Sequence, residues 1–529
     1  MAFYVSPGVY VQERDLSEII PNIATTIAGL VGYSAKGNVD ELQLITNSRQ
    51  FIEEYGEPDP TTGYFHHTAL AFLEKGNKLY CMRVHKSALY GGVKIMQSGE
   101  GPNIAISSGA SSPVYADVSG EDIAFYVFAK DPGVWNNTLG VKITNVDAVN
   151  YEFTIEVYQE DDDGNDIKVE TWDVSRKTKV DGYGRQMYLE DRINDYSSYI
   201  VVADNTGAAD TVMPEAQATV LNLAQGSDGT TVTDSEVVAG WDKFTNPDDV
   251  DVRILLNGGY TSVTVQQKIK TVAEARLDCI GVLDMPYSET TSVSSMITWR
   301  ETTQNFNTSY TALYSGWVRV YDRFNDRVLY VPPSGYVGAQ YAYNDFVAEP
   351  WYAPAGFNRG ILNVLGVSNV FTQGERDLLY PAGINPVQMF RGEGIVLWGQ
   401  KTQQTKASAL DRVNVRRLLI TLEKSISAAL RYYCFELNNE LTRFRVKSTV
   451  ESYLDLLGAR GAFQTEAGDN GYRVVCDTTN NTAAVIDRNE LKVDILLKPA
   501  RAAEAIELKT VITQSGASFD ELIARGANL

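Results

Sequence analysis

Three histidines (His66, His67 and His85), four cysteines (Cys81, Cys279, Cys434 and Cys476) and 67 acidic residues could in principle do acid–base, nucleophilic or metal chemistry in this 529-residue chain. Their spacing assembles none of it. His66 and His67 are neighbours in a helical pattern, so their side chains diverge by about 100° around the axis. No HExxH spacing puts two histidines on one helix face. The cysteines lie far apart with no CxxC pair, the usage expected of small core thiols in a reducing compartment. No GxxxxGK(S/T), GxGxxG or GxSxG occurs. Asn257-Gly258-Gly259 follows a strand pattern, yet a lone glycine pair reads as a turn and not as a phosphate cradle. In Asp161–Asp166 a calcium-loop register would place its first ligand on Gln159, so this run reads as a hairpin tip. Carboxylate pairs suited to glycoside hydrolysis exist in any acidic chain, and nothing singles one out. The expectation is therefore no catalytic residue, no cofactor and no metal.

The chain is too long for one core and predicts several domains. Residues 1–20 alternate apolar and polar types (Phe3, Val5, Val9, Val11) around Pro7-Gly8 and predict an extended arm. Ile23–Tyr33 and Leu79–Val84 read as strands. Between them lie helical patterns at Arg49–Tyr55 and Phe65–Lys75, closed by Gly56 and Gly76. Residues 96–240 change to short alternating runs such as Tyr151–Tyr158 and Tyr199–Ala203 between turn clusters, and predict an inserted, mainly-β domain. From about 250 the α/β pattern resumes, with strands at Val252–Leu256 and Cys279–Leu283 around a helix at Val263–Ala275, and further strands near 317–321 and 327–331. A long helical pattern runs from Asp411 to Phe444. A second helix is predicted from the capping box Ser448-Thr449-Val450-Glu451 to Gly458. Strands at Tyr472–Cys476, Leu491–Leu497 and Ala505–Ile512 close the chain. The fold class is thus α+β to α/β and multidomain. Its segments are an arm (1–20), the first part of an α/β core (21–95), the insertion (96–240), an α/β middle domain (241–390), a C-terminal domain (391–512) and a tail (513–529).

Charge follows the same divisions. The 46 basic and 67 acidic residues give −21. Residues 1–95 hold 8 basic against 10 acidic, 96–240 hold 8 against 25, and 241–529 hold 30 against 32. The insertion alone therefore carries net −17. Such a balance argues against nucleic-acid binding, whose affinity comes mainly from cations that displace counterions. Residues 401–447 reverse the sign, with ten basic against four acidic side chains. No apolar run reaches the length of a membrane span, and the start, MAFYVSPGVYVQERD, shows no secretory signal pattern.

The ordered series of motifs resembles a known family. It comprises Ser6-Pro7-Gly8-Val9-Tyr10-Val11-Gln12-Glu13, Ala28–Tyr33 (AGLVGY), Phe51–Gly56 (FIEEYG), Ala71–Val84 (AFLEKGNKLYCMRV) and Gly133–Leu139 (GVWNNTL, with Asn136 where glycine is usual). It continues with Pro332–Gly338 (PPSGYVG), Trp351–Gly356 (WYAPAG), Gly383–Gly399, Val413–Leu419 (VNVRRLL), Phe435–Asn439 (FELNN), Lys498-Pro499-Ala500 and Ser518–Ile523 (SFDELI). In this order they resemble the contractile tail sheath proteins of long-tailed bacteriophages and related contractile injection systems. The match covers 1–95 and 240–529; residues 140–235 match nothing in the family pattern. The resemblance implies a non-enzymatic subunit of the virion tail, assembled in the host cytoplasm as a helical homo-oligomer of six-fold rings around the tail tube protein. Baseplate and tail terminator proteins would be further partners, with neither direct nucleic-acid contact nor stable membrane insertion. It also implies that the terminal arms (Phe3, Val5, Val9, Val11; Ile506, Leu508, Val511) add strands to a neighbour's sheet carrying Val474, Val475, Val493 and Ile495. The C-terminal domain would face the tube, which gives Arg412, Arg416, Arg417 and Lys424 as tube-facing cations, with internal salt bridges that fix the helix as the alternative for Arg416 and Arg417. The sheath of a headless injection system is the alternative within the family, and an acidic hydrolase the alternative outside it.

Overall fold

The computed structural model describes residues 25–39, 41–59, 63–113, 122–161 and 163–508. Its largest sheet has nine strands, in the order Ile361–Leu362, Gly394–Leu397, Ile384–Phe390, Thr311–Ser315, Ile280–Asp284, Ile254–Leu256, Ile27–Tyr33, Lys78–Val84 and Gln43–Ile45. Every pairing from Ile384–Phe390 through Lys78–Val84 is parallel, while the outer strands at both ends are antiparallel. A parallel sheet must be covered on both faces, which explains why its strands read as unbroken apolar runs. Alternation along Ile254–Leu256 sends Ile254 and Leu256 to one core, with Phe65, Phe72, Val337, Tyr341, Val413 and Ile420. Leu255 goes to the other, with Val237, Trp241, Val265, Ile269 and Met296.

Residues 27–84 and residues from 254 onward thus share one sheet, and the insertion is looped out between Lys78–Val84 and Ile254–Leu256, which flank the Ile27–Tyr33 strand. It is a sandwich of two four-stranded antiparallel sheets around Val93, Phe125, Val127, Ile143, Phe153 and Ile155. Its limits differ from those expected from composition. The strand Gly92–Met96 already belongs to the sandwich. The helix Asp234–Asp242 instead packs Val237 and Trp241 into the core of the nine-stranded sheet. The boundary is fixed by Arg83, which is fully buried and donates to the carbonyls of Ser34 (2.7 Å), Gly37 (2.6 Å), Ala35 (3.0 Å) and Pro132 (2.8 Å). The 161–166 run closes a hairpin between Glu152–Glu160 and Asp166–Val174, with the Asp161 carboxylate accepting the amides of Asp163 and Asn165.

The expected division at 391 also moves, because Gly394–Leu397 is a strand of the large sheet. The long pattern from Asp411 to Phe444 is two helices, Val413–Leu430 and Glu440–Ala459. The chain breaks between them where Phe435 takes φ +71°. The cap is Asn439, whose side chain accepts the Thr442 amide at 2.8 Å, and Ser448–Glu451 lies inside the second helix. The S-x-x-E pattern there is a coincidence of composition, since those amides already have intrahelical acceptors. The two helices meet through Leu418, Leu422, Ile426, Val450, Leu454 and Leu457.

Candidate assembly surfaces

The strands expected near Tyr472–Cys476 and Leu491–Leu497 form a two-stranded antiparallel sheet, Tyr472–Val475 and Asp494–Leu497, registered Val474 to Ile495 and Val475 to Asp494. Val474, Ile495 and the flanking Val493 pack onto the Glu440–Ala459 helix, whereas Val475 is half-buried outside that core. Asn480 and Asn481 close one end of the ladder through bonds to the carbonyls of Val475 (2.8 Å) and Lys492 (2.9 Å). With two strands, the sheet has two outer edges that no other strand covers among the described residues. Such edges are templates for pairing with another chain.

The arm residues are placed in part. Phe3, Val5, Val9, Val11 and Val511 lie outside the described residues. Ile506 and Leu508 are not in a strand, contrary to the expected strand from Ala505; they run as irregular chain, 90% and 87% exposed. No strand among the described residues pairs with that segment. Just before it, Glu504 accepts Arg412 Nε at 2.7 Å and Nη2 at 2.8 Å, and Gln400 Nε2 at 3.1 Å. This pair closes a groove of about 330 Å³ lined by Gln400, Asp411, Arg412, Asn414, Arg501 and Glu504. Burial opposes ionisation of Glu504, but the Arg412 hydrogen bonds and charge outweigh it and hold the carboxyl below its ordinary value.

Of the four cations expected to face a partner, Arg416 and Arg417 are buried, while Arg412 and Lys424 are partly exposed and paired within the subunit. Arg416 donates to Ser309 Oγ at 2.8 Å and lies over the Tyr310 ring at 4.2 Å. Arg417 pairs with Asp345 at 2.6 Å and stacks on Tyr341. Lys424 pairs with Asp278 at 2.8 Å, a carboxylate also held by Arg276 and Arg253. Arg412 holds Glu504 as described. The basic face of this helix ties it to the large sheet, where each desolvated charge needs a fixed counter-charge or acceptor. What the C-terminal region exposes instead is apolar: Tyr432, Phe435, Leu437, Leu441 and Phe444 at the turn between the helices. The helical spacing of Leu441 and Phe444 had suggested a buried face. Their exposure is a signal that sequence periodicity cannot separate from burial.

The polar groups that might do chemistry are absorbed into the core. His66 donates from Nε2 toward the Tyr55 carbonyl at 3.2 Å, and its Nδ1 has no partner. Burial pushes its imidazole down to about 4, against that hydrogen bond. Asn257-Gly258-Gly259 is a turn, with Asn257 Nδ2 and the Gly259 amide donating to Asp284 Oδ2 at 3.3 and 3.1 Å. Asp284 also receives the amide (2.8 Å) and hydroxyl (2.7 Å) of Ser334 at the start of the Ser334–Val347 helix. Burial pushes its carboxyl up to about 6 despite those donors. No group of three or more His, Cys, Asp or Glu among the described residues is arranged to hold a metal ion, and no described helix is long and apolar enough to cross a membrane.

His66 and Asp284 act oppositely on stability as pH changes. A depressed histidine stabilises above its unfolded value near 6.5, and that contribution is lost as pH falls to about 4. The shift corresponds to about 3 kcal/mol. Asp284, raised, stabilises at low pH and loses that contribution as pH rises through about 6. The His66 contribution is therefore read by difference: His66→Gln is expected to lower stability at pH 7, with the gap to the parent closing by about 3 kcal/mol toward pH 4. Parallel stability curves across that range, measured by urea titration, would contradict the assignment.

Comparison with known proteins places this architecture. Residues 230–403 match the family model of the phage tail sheath protein central domain, and 405–513 that of the phage tail sheath C-terminal domain, together just over half of the chain. The chain belongs to the phage tail sheath protein family, the structural subunits of contractile tails. The tail sheath protein of Enterobacteria phage T4 is 29% identical, with 98% of this chain and 99% of the relative aligned. That of Vibrio phage KVP40 is 37% identical over 57% of this chain and 48% of the relative. The fold is similar to the sheath of an extracellular contractile injection system in its contracted state (TM-score 0.55, 15% identity, covering 97% of this chain and 98% of that one). It is also similar to a sheath tail protein of Listeria innocua (TM-score 0.56, 11% identity, covering 86% and 89%).

Proposed function

We propose that this chain polymerises as stacked hexameric rings around a phage tail tube and contracts to drive the tube through the host envelope, without catalysing a reaction. The terminal arms of one subunit add strands to the two open edges of a neighbour's Tyr472–Val475/Asp494–Leu497 sheet. The baseplate and tail terminator cap the helical array. The observation that carries this reading is a two-stranded sheet with both edges open among the described residues, together with the exposed apolar side chains of Ile506 and Leu508 beyond Glu504. Full-length alignment with a phage relative supports a phage tail over a headless system. The test is negative-stain microscopy of the purified protein. Hollow striated tubes are expected, and a protein that stays monomeric at every concentration and salt would sink the proposal.

The surface turned to the tube is the apolar turn between the two C-terminal helices, and the four cations, held within the subunit, take no part. Exposed apolar clusters of this kind mark contact sites. Phe435→Asp is expected to weaken tube-templated assembly by about tenfold while leaving the melting temperature unchanged. Equal assembly of variant and parent on the tube would remove this surface from consideration.

A further inference from the structure

Near both ends of the described chain, a side chain is tied to an arginine in or just before the Val413–Leu430 helix, at the N-terminal end through Asp345 of the Ser334–Val347 helix. At the N-terminal end, Thr25 Oγ1 donates to Asp345 Oδ2 at 2.6 Å, and the same oxygen accepts Arg417 Nη2 at 2.6 Å. Asp345 and Arg417 are each 4% exposed. At the C-terminal end, Glu504 is gripped by Arg412 through two hydrogen bonds, the bidentate geometry that fixes direction as well as distance. Arg412 is the residue before the Val413–Leu430 helix and Arg417 is in its second turn, about 7.5 Å apart along the axis. The opposite face of that helix, through Leu418, Leu422 and Ile426, packs in one core with Val474 of the acceptor sheet.

We infer that Arg412 and Arg417 are positioning residues for assembly, setting the directions in which the two arms leave the subunit relative to the sheet that receives a neighbour's arms. This rests on the reading that the arms link subunits. Donor and acceptor geometry would otherwise be set by separate elements. Here one network meets at the Val413–Leu430 helix: Arg412, just before it, grips Glu504, Arg417 within it shares Asp345 of the Ser334–Val347 helix with Thr25, and its opposite face shares a core with the Glu440–Ala459 helix and Val474. The unit that keeps its shape therefore runs from Thr25 to Glu504, and the roots leave it in fixed directions. An arm whose root is loosened still has its strand-forming residues, but it samples many departures and reaches the neighbour's edge less often, a loss of effective concentration.

The test uses full-length protein and reads the critical concentration for tube formation beside the melting temperature. Arg412→Gln, Glu504→Gln and Thr25→Val are each expected to raise the critical concentration about tenfold with unchanged melting. The charge-swapped double variant Arg412→Glu/Glu504→Arg is expected to recover most of the loss. Hydrogen exchange at 501–508 should quicken in the first two variants and slow again in the swap. Variants that polymerise like the parent, or a swap that fails to rescue, overturn the inference. A chain ending at Glu504 separates the two levels of the argument. If it does not polymerise while Arg412→Gln does, the positioning role alone is wrong. If it polymerises normally, the arm reading fails and the inference with it.

Discussion

Deleting residues 1–15 is expected to yield a folded protein with the parent's melting temperature that forms no tubes. Among the described residues, tertiary contacts begin at Thr25 and burial in the large sheet at Ile27. Strand addition draws its affinity from main-chain hydrogen bonds along a ladder, so a missing donor removes a link and not just a contact. Every subunit in an array would lose that link at once, so the effect is all-or-none: polymer to no polymer. Sedimentation and microscopy of the truncated protein decide it. Tubes of normal length and striation would show that the N-terminal segment is not the linking strand.

Arg417→Met should cost about 3–5 kcal/mol, because it leaves Asp345 buried without its cation. Thr25 would remain as a donor to the same carboxylate oxygen, and one hydroxyl cannot replace a charge. Methionine keeps the apolar packing against Tyr341, so the loss isolates the electrostatic part. The double variant Arg417→Met/Asp345→Asn should regain much of the stability, since a neutral amide is cheaper to bury. If the single variant melts with the parent, the pair contributes nothing to stability. If the double variant is worse than the single, the cost lies in packing and not in an orphaned carboxylate.

How far these features were legible depended on the range of the interaction that makes them. The helix Ser48–Tyr55 was readable because its stop, Gly56, is local; it takes φ +78° and caps with its own amide to Ile52. The parallel strands were readable from unbroken apolar runs. The partners of Arg416 and Arg417 were not, because Ser309 and Asp345 lie far off in sequence. A basic run that ties two domains has the same composition as one that meets a partner. The end of the first C-terminal helix was missed for a related reason. Leu437, Leu441 and Phe444 continue an apolar spacing through a stretch whose side chains the fold leaves in solvent. The strands Tyr472–Val475 and Asp494–Leu497 were readable from alternation, while their forming a sheet of two among the described residues is a property of topology that no residue announces.

The looped-out insertion has an architectural consequence. Its two strands of entry and exit touch at a single gate, where Lys86 bridges Gly229, Leu89 bridges Ser227, and the Thr230 amide donates to the Lys86 carbonyl at 2.9 Å. Paired backbones there stand only about 5 Å apart. Replacing residues 86–230 by another module with adjacent termini is accordingly expected to leave the register of the large sheet intact, at the cost of the Arg83 bond to the Pro132 carbonyl.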